Sequence, residues 1–524
     1  MKKNKRTQYD EKINIPVSKS LETNINKMKD ILKDCDDIIF REFNVGKKQQ
    51  HKFYIVYVDG LADKELVSEN VLESLMIDAR DEIPNPRRVG QNLYDLSKKG
   101  SITITEVQDT SCLSKAIEAV LIGETIVIME GFDNILIVSS RGWPMRSISE
   151  PETETVIRGP RDGFTETSKV NTSLIRRRIR DPRLKLKYIK VGKRSKTDIA
   201  IMYIDDVVDK EILEEVKKRL SNIEVDSILE SSYIEQLIED NWLSPFPQLE
   251  NTERPDAVAA AIYEGRVALI IDNTPFALMV PATFSILLQS SEDYYERWIP
   301  SVLIRFVRYI AIPLSLLLPS LYIALTSYHP GMIPTELALY VAATRVDVPF
   351  PAFVEAFIME GTLELLREAG TRISGPIGTT IGIVGGLVIG QAAVEAGIVS
   401  PLMVIIVAVT TVASFALPNF SLASGFRFIR FILMALSAVL GLYGVVLGLL
   451  LMTSHLVSLK SFGVPYMEPF SSMDFGFTDI KDSIVRLPYK FMKLRPKYLK
   501  IKDRVRMENS DDINKIIDEK EREE

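Results

Sequence analysis

Apolar residues are distributed along this chain in two different ways. Up to about residue 300 they are interleaved with charges at short range. Beyond it four stretches carry no Asp, Glu, Lys or Arg, namely 309–335, 373–394, 396–426 and 431–459. A helix needs roughly 20 predominantly apolar residues to cross ~30 Å of hydrocarbon, and buried helices of soluble proteins rarely stay uncharged for that length. The pattern predicts an α-helical multi-span membrane domain over 291–460, with spans near 309–328, 376–396, 401–418 and 430–455 and an amphipathic or re-entrant helix over 352–371.

The first half contains an internal repeat. "FYIVYVDGLADKELVSENVLESL" from Phe53 pairs with "IAIMYIDDVVDKEILEEVKKRL" from Ile199, each an apolar strand, an acidic turn and a helix of 3.6 spacing. "AIEAVLIGETIVIMEGFDNILIV" from Ala116 pairs with "AVAAAIYEGRVALIIDNTPFALMV" from Ala257. Each reads as a helix ended at Gly123 or Gly265, then a hairpin turning near Asp133 or Asn273. The expected fold class is an α/β cytosolic domain built from two related subdomains, 50–145 and 198–290. An N-terminal helical and partly disordered segment (1–49) precedes them, a basic connector (146–197) joins them, and a cytosolic C-terminal tail (461–524) closes the chain. The segment from Asp272 to Trp298 is the expected route of coupling to the membrane domain.

Composition alone conceals this division: 524 residues, 46% hydrophobic, mean hydropathy +0.08 and net charge −6 describe an ordinary soluble protein. Charge placement adds orientation. Arg297, Arg305 and Arg308 precede the first span, and 460–506 holds eleven Lys and Arg against five acids, whereas 329–372 holds three Arg against six acids. The positive-inside rule then predicts an even number of crossings, most simply four, with both termini cytosolic. The opening MKKNKRTQYDEK is followed by no apolar run of the kind a cleaved signal needs. Cys35 and Cys112 form no CxxC pair and imply no disulfide framework.

Candidate chemistry lies mostly in the apolar half. Gly378, Gly382, Gly386 and Gly390 form a ridge on one helix face, the spacing that lets helices pack at backbone distance, in the same chain or in another subunit. Thr380, Val384, Leu387, Gln391 and Glu395 fall on the opposite face and are candidate pore-lining residues, with burial against sibling helices as the alternative. On the 352–371 helix, Glu360, Glu364 and Glu368 share one side and Glu355 lies on the apolar side. Glu355, Glu360 and Glu364 are acidic pore candidates, against a solvent-facing flank with Arg367 as local partner. Pro313 and Pro319 bend or shape the first span. In 173–196, eleven Lys and Arg surround one Asp; anionic lipid headgroups suit it better than nucleic acid, and a basic face bonded within the domain is the other reading. The three histidines form no metal pair, and no HExxH, P-loop or GxSxG occurs, so no catalytic residue, metal or cofactor is expected.

"SPFPQ" at Ser244, "TERPD" at Thr252, "GRVALIIDNTPFALMVPATF" at Gly265 and "SSEDYYERW" at Ser290 follow one another in order. They continue with "LLPSLYIALTSYHPGMIPTELAL" at Leu317, "VPFPAFVEA" at Val348, "LREAG" at Leu366, "VIGQAAVEAGIVSP" at Val388 and "SFGVPYMEP" at Ser461. Together these resemble the A-subunit family of GerA-type spore germinant receptors from about Phe53 to Arg506. The resemblance implies a protein of the spore inner membrane that transduces nutrient sensing. It implies a transporter-like B subunit and a lipoprotein C subunit as partners, and a homo-oligomer, with a pentamer among the options, through which ions leave. A paralogous stand-alone ion channel or solute-release protein acting downstream of receptors is the alternative.

Overall fold

The two copies of the internal repeat fold into two five-stranded antiparallel sheets with the same strand order. In this computed structural model the described residues are 15–45, 51–67, 107–142, 150–151, 153–372, 386, 388–471, 482–499, 501 and 503–507. The first sheet takes β1 (Ile38–Val45), β2 (His51–Val58), β3 (Val107–Thr110), β4 (Thr125–Met129) and β5 (Ile135–Val138) in the order β1-β2-β4-β5-β3. The second takes β6 (Leu184–Val191), β7 (Thr197–Ile204), β8 (Glu250–Thr252), β9 (Val267–Ile271) and β10 (Ala277–Val280) in the order β6-β7-β9-β10-β8. Helices keep the correspondence: α1 (Leu21–Ile31) precedes β1 as α3 (Ser168–Arg178) precedes β6, and α2 (Leu113–Ile122) precedes β4 as α6 (Pro255–Tyr263) precedes β9. α4 (Lys210–Ser221) and α5 (Ser231–Ile238) follow β7. Both hairpins turn where the sequence predicts, and Gly123 and Gly265 end their helices with φ of 105° and 90°, a conformation glycine adopts without strain.

Alternation explains how each sheet is covered. In β4 all five residues are buried. Ile126 and Ile128 join the apolar cluster under α1 and α2, with Met28, Ile117 and Val120, while Val127 and Met129 join one on the opposite face with Phe53 and Leu136. A central strand covered on both sides therefore reads as an uninterrupted apolar run. Each fully buried Ile or Val contributes roughly 1.5–3 kcal/mol.

The basic segment is part of this architecture. Its residues form α3 and β6, so the second sheet starts at Leu184, inside the stretch read as a connector; the first likewise starts at Ile38, ahead of residue 50. The apolar positions that set these strands, such as Leu184 and Leu186, are spaced among lysines and were masked by the charge. Arg176 is fully buried and grips Asp37 with two bonds of 2.9 and 2.8 Å while donating to Leu184 O. Arg178 pairs with Asp162 at 2.6 Å, Arg183 with Asp181 and Asp206, and Lys185 donates to Ile31 O and Pro182 O. The second edge is closed as well: Asp36 N donates to Leu186 O, Leu186 N to Asp34 O and Tyr188 N to Asp36 Oδ2.

"TERPD" is a staple of the same unit. Arg254 donates to Glu154 O, Pro160 O and Asp256 Oδ2, and Thr252 Oγ1 donates to the Glu154 carboxylate. Burial of Glu154, reinforced by Glu250 and Glu253 nearby, pushes its carboxyl up to about 7. Glu230 goes the other way, to about 2: bonds from Ser231, Ser232 and Thr274 to its carboxylate outweigh its partial burial.

The chain divides into this α/β unit (1–238, 249–281 and 499–505) and a helical unit (239–248, 282–498 and 506–524). The helical unit begins with α7 (Phe284–Leu287) and α8 (Glu292–Tyr295), followed by α9 (Trp298–Ser327), α10 (Thr335–Thr344), α11 (Ala352–Arg372), α12 (Pro401–Phe415), α13 (Phe420–Leu440) and α14 (Leu442–Ser458). The 30-residue α9 is about 45 Å long. Of the described helices, α9 and α13 are long and apolar enough to cross a membrane, while α12 and α14 are shorter apolar helices.

The stretch expected to span as one helix near 430–455 is two. Gly441 has φ 60° and ψ −137°, which ends α13, and α14 begins at the next residue. The hairpin packs closely on two glycines: a Cβ at Gly444 would lie 2.1 Å from Leu436 O, and one at Gly448 2.3 Å from Leu433 Cδ2. Much of the stretch read as a tail also belongs here. Ser461 Oγ donates to Gln248 O, Tyr466 is buried, and Phe246 meets Phe426 edge-on at 5.5 Å, so "SPFPQ" and "SFGVPY" pack together on α13.

Candidate functional site: buried charge in the helical unit

α11 and α13 carry the charges that interrupt the apolar half, and the fold turns them toward each other. Glu360 Oε2 lies 2.9 Å from Arg430 Nη2, with both side chains 1% exposed. The same arginine donates through Nη1 to Ser315 O of α9 at 3.3 Å. That carbonyl is available because residue 319, four positions on, is a proline and has no N–H to donate. Pro319 thus opens an acceptor inside α9, and Arg430 fills it. Ser437 Oγ donates to Ser320 O one turn further along, at 2.6 Å.

One turn from Glu360, Glu364 is shared. Arg367 Nη1 reaches it at 2.9 Å, Arg430 Nη2 at 3.6 Å and Arg427 Nε at 3.7 Å. Toward the other end of α11, Glu355 is fully buried; it pairs with Arg345 at 3.0 Å and accepts from Ser400 N at 3.0 Å, beside the contact between Tyr322 and Ser400 hydroxyls. α11 is therefore amphipathic in the reverse sense of a soluble helix. Glu355 and Glu360 face inward and Glu364 is partly enclosed, with Glu368 exposed, while Phe353, Ile358 and Leu365 face out. The solvent-facing flank considered from the sequence does not hold for Glu360, because an apolar exterior makes the interior the place where charge finds partners.

A second network stands where α9 begins. Asp293, 1% exposed, accepts from Arg305 Nε at 3.0 Å and Arg308 Nη1 at 2.6 Å. Arg305 also reaches Asp482 at 3.1 Å, and Arg486 donates to Tyr294 O and Glu296 O, so "SSEDYYERW" ties the returning chain to the first long helix. Both guanidinium groups lie over the Tyr294 ring, at 5.3 and 5.6 Å.

The glycine ridge and the polar stripe are described in part. Gly378, Gly382, Thr380, Val384 and Leu387 lie outside the described residues. Gly390 is buried, and a Cβ there would lie 3.4 Å from Val404 Cγ1 of α12, a neighbour in the same chain; among the described residues no atom lies within 4 Å of a Cβ at Gly386. Gln391 and Glu395 are exposed and joined at 2.8 Å. Among the described residues no group of three or more His, Cys, Asp or Glu could hold a metal ion.

Residues 26–498 match the family described as Bacillus/Clostridium GerA spore germination protein. The chain belongs to the GerA family of spore germination proteins. Among its relatives, spore germination protein KA of Bacillus subtilis is 44% identical over 490 residues, 94% of this chain and 88% of that protein. Spore germination protein GerLA of Bacillus cereus is 42% identical over 479 residues, 91% of this chain and 95% of that protein. The solved N-terminal domain of the A subunit of the Bacillus megaterium spore germinant receptor GerK3 is 32% identical, with 98% of that chain and 52% of this one covered and a TM-score of 0.41. For this GerA-family chain, two helices of crossing length and composition point to membrane association.

Sequence reasoning missed Arg427 and Arg430 as site residues, treating them only as a boundary between uncharged runs. Their signal was present: two arginines three apart in an otherwise apolar helix, with glutamates at matching spacing on α11. Gly444 and Gly448 repeat the four-residue glycine spacing of 378–390, so a signal for close helix packing is present there too.

Proposed function

We propose that this chain is the A subunit of a nutrient germinant receptor, a multi-pass protein of the spore inner membrane with both termini in the cytosol. It works with a transporter-like B subunit and a lipoprotein C subunit and turns germinant binding into germination. Its helical unit forms, with further copies, an oligomeric ion-conducting element. Family membership supports the germination role. The observation that carries the membrane part is the inverted polarity of the helical unit, with Glu355, Glu360 and Arg430 enclosed while Phe306, Leu339, Val412 and Leu450 are exposed. A surface of that kind suits lipid and sibling helices.

On this reading the stripe of Thr380, Val384, Leu387, Gln391 and Glu395 lines the pathway, and the ridge from Gly378 to Gly390 packs its helix against neighbours. Glu355 and Glu360 fasten the bundle through their arginines; Glu364, shared by three arginines and a third exposed, is the least enclosed of the three acidic pore candidates. The test is to reconstitute the chain with and without its B and C partners, record conductance, and substitute Val384, Leu387 and Gln391 in turn. Altered conductance or gating supports the assignment; three variants that all conduct as wild type sink the pore face.

A further inference from the structure

We propose that the arginine cluster near the N-terminal end of α13 binds the phosphate of an anionic membrane lipid. The inference rests on the membrane reading of the helical unit given above. Ion pairs join three arginines, Arg367, Arg427 and Arg430, to two glutamates, Glu360 and Glu364. Glu360 is committed to Arg430 at 2.9 Å. Glu364 sits closest to Arg367, at 2.9 Å, and is 3.7 Å from Arg427 Nε, outside hydrogen-bonding range. Arg427 is thus the guanidinium without a carboxylate of its own in the cluster, and its Nη2 is turned to the Ser424 hydroxyl. Its side chain is 13% exposed and that of Arg367 14%, so both are largely stripped of water yet reachable from outside. A positive charge held this way in an apolar bundle is costly unless an anion completes it.

The rim says which anion. The Arg367 guanidinium lies 5.4 Å from the centroid of Phe415, and that of Arg427 lies 5.3 Å from the centroid of Phe420. Both rings are mostly exposed, as are Leu365 and Phe428 on the same two helices, α11 and α13. A free inorganic anion gains nothing from such surroundings. A phosphodiester with acyl chains satisfies both parts: its oxygens match the planar arginine fork, and its chains cover the apolar rim. Arginines near the end of an apolar bundle also match the depth from which basic side chains snorkel to the headgroups of a bilayer.

The experiment uses the full chain in nanodiscs of phosphatidylcholine doped with phosphatidylglycerol, followed by native mass spectrometry to count retained lipids. Wild type is expected to retain phosphatidylglycerol in preference to phosphatidylcholine. Arg427→Gln should lower that preference about fivefold, the scale of one basic residue acting on an anionic headgroup. Glu364→Gln should raise it, because it removes the carboxylate that competes with the lipid for the arginines. The proposal is overturned if wild type shows no preference, if Arg427→Gln retains as much phosphatidylglycerol as wild type, or if Glu364→Gln fails to raise retention. Complete displacement of phosphatidylglycerol by millimolar inorganic phosphate would assign the site to a free anion instead. Loss of oligomer in Arg427→Gln with lipid retention unchanged would assign it to a second copy of the chain. A failure of the membrane reading is distinguishable, since the chain would then not enter the discs at all.

Discussion

Both units of the chain bury arginine–carboxylate pairs, and they do so in opposite settings. In the α/β unit, Asp37–Arg176 is enclosed at the join of two subdomains whose outer surfaces carry the remaining charge, such as Lys193, Glu224 and Arg194. In that unit an apolar cluster lies on each face of the first sheet, the burial that favours folding. In the helical unit the outside is Phe, Leu, Ile and Val, and charge is gathered within, at Glu355–Arg345, Glu360–Arg430 and Asp293–Arg305. Enclosed charge lies beneath a charged exterior in one and beneath an apolar exterior in the other. Where the exterior is apolar, helix association cannot be driven by hiding apolar surface, so paired charges and small-residue contacts take over.

The sharpest way to break this comparison is to remove one member of a buried pair in the helical unit. Arg430→Met strands Glu360 and orphans Ser315 O, and should cost about 3–5 kcal/mol, read as a large fall in the thermal unfolding midpoint in detergent micelles. Combining it with Glu360→Leu should restore most of the loss; a double variant as unstable as the single one would mean that the pair is not the organising contact.

Titration tests the α/β unit, where a carboxyl is buried without an arginine partner of its own. The Glu154 pKa is raised to about 7 from 4.5, so the folded state holds this proton more tightly than the unfolded one. Stability should therefore decline as pH rises from 4.5 to 7, by at most about 3 kcal/mol, and stay flat for this group outside that window. Glu154→Gln should remove that slope in denaturant unfolding at a series of pH values; an unchanged slope would place its cause elsewhere.

A middle-sized effect is expected at the α13–α14 hairpin. Gly444→Ala places a Cβ 2.1 Å from Leu436 O, backbone that cannot rotate away, and should cost about 1–3 kcal/mol as faster proteolysis at the Gly441 turn. Gly361→Ala, where an added Cβ meets nothing within 4 Å, is the control and should be silent in the same assay. Smallest of all, Lys193→Ala on the α/β surface should change stability by less than about 0.5 kcal/mol, because its 3.1 Å pair with Glu224 is solvated on both sides. A larger change would contradict the contrast drawn between exposed and enclosed charge.

Much of the α/β architecture was legible. Strands β2 and β7, the helices closed by Gly123 and Gly265, and both hairpin turns follow from local periodicity and glycine chemistry, and the repeat announces that one topology is used twice. β6 was harder to see, since the eleven basic residues around it look like a solvated connector until Asp37, Asp162 and Asp206 are brought beside them from other parts of the chain. The candidate site was legible only by half. Glu355, Glu360 and Glu364 stand out by their place in an apolar region, and Arg367 is a local partner three residues from Glu364, but the partners of Glu355 and Glu360 lie 10 and 70 residues away in sequence, at Arg345 and Arg430.

By itself the sequence determined where apolar runs begin and end, that the first half is a duplication, and which family the chain resembles, because each is carried by periodicity or by contiguous motifs. Tertiary structure alone decided that a predicted single span is a hairpin broken at Gly441. It decided, too, that α11 turns Glu355 and Glu360 inward and that Pro319 exposes a carbonyl for Arg430. Those outcomes depend on which helices become neighbours. Charge pairing and backbone approach act over a few ångströms of space, and spacing along one helix specifies a face without naming what that face meets.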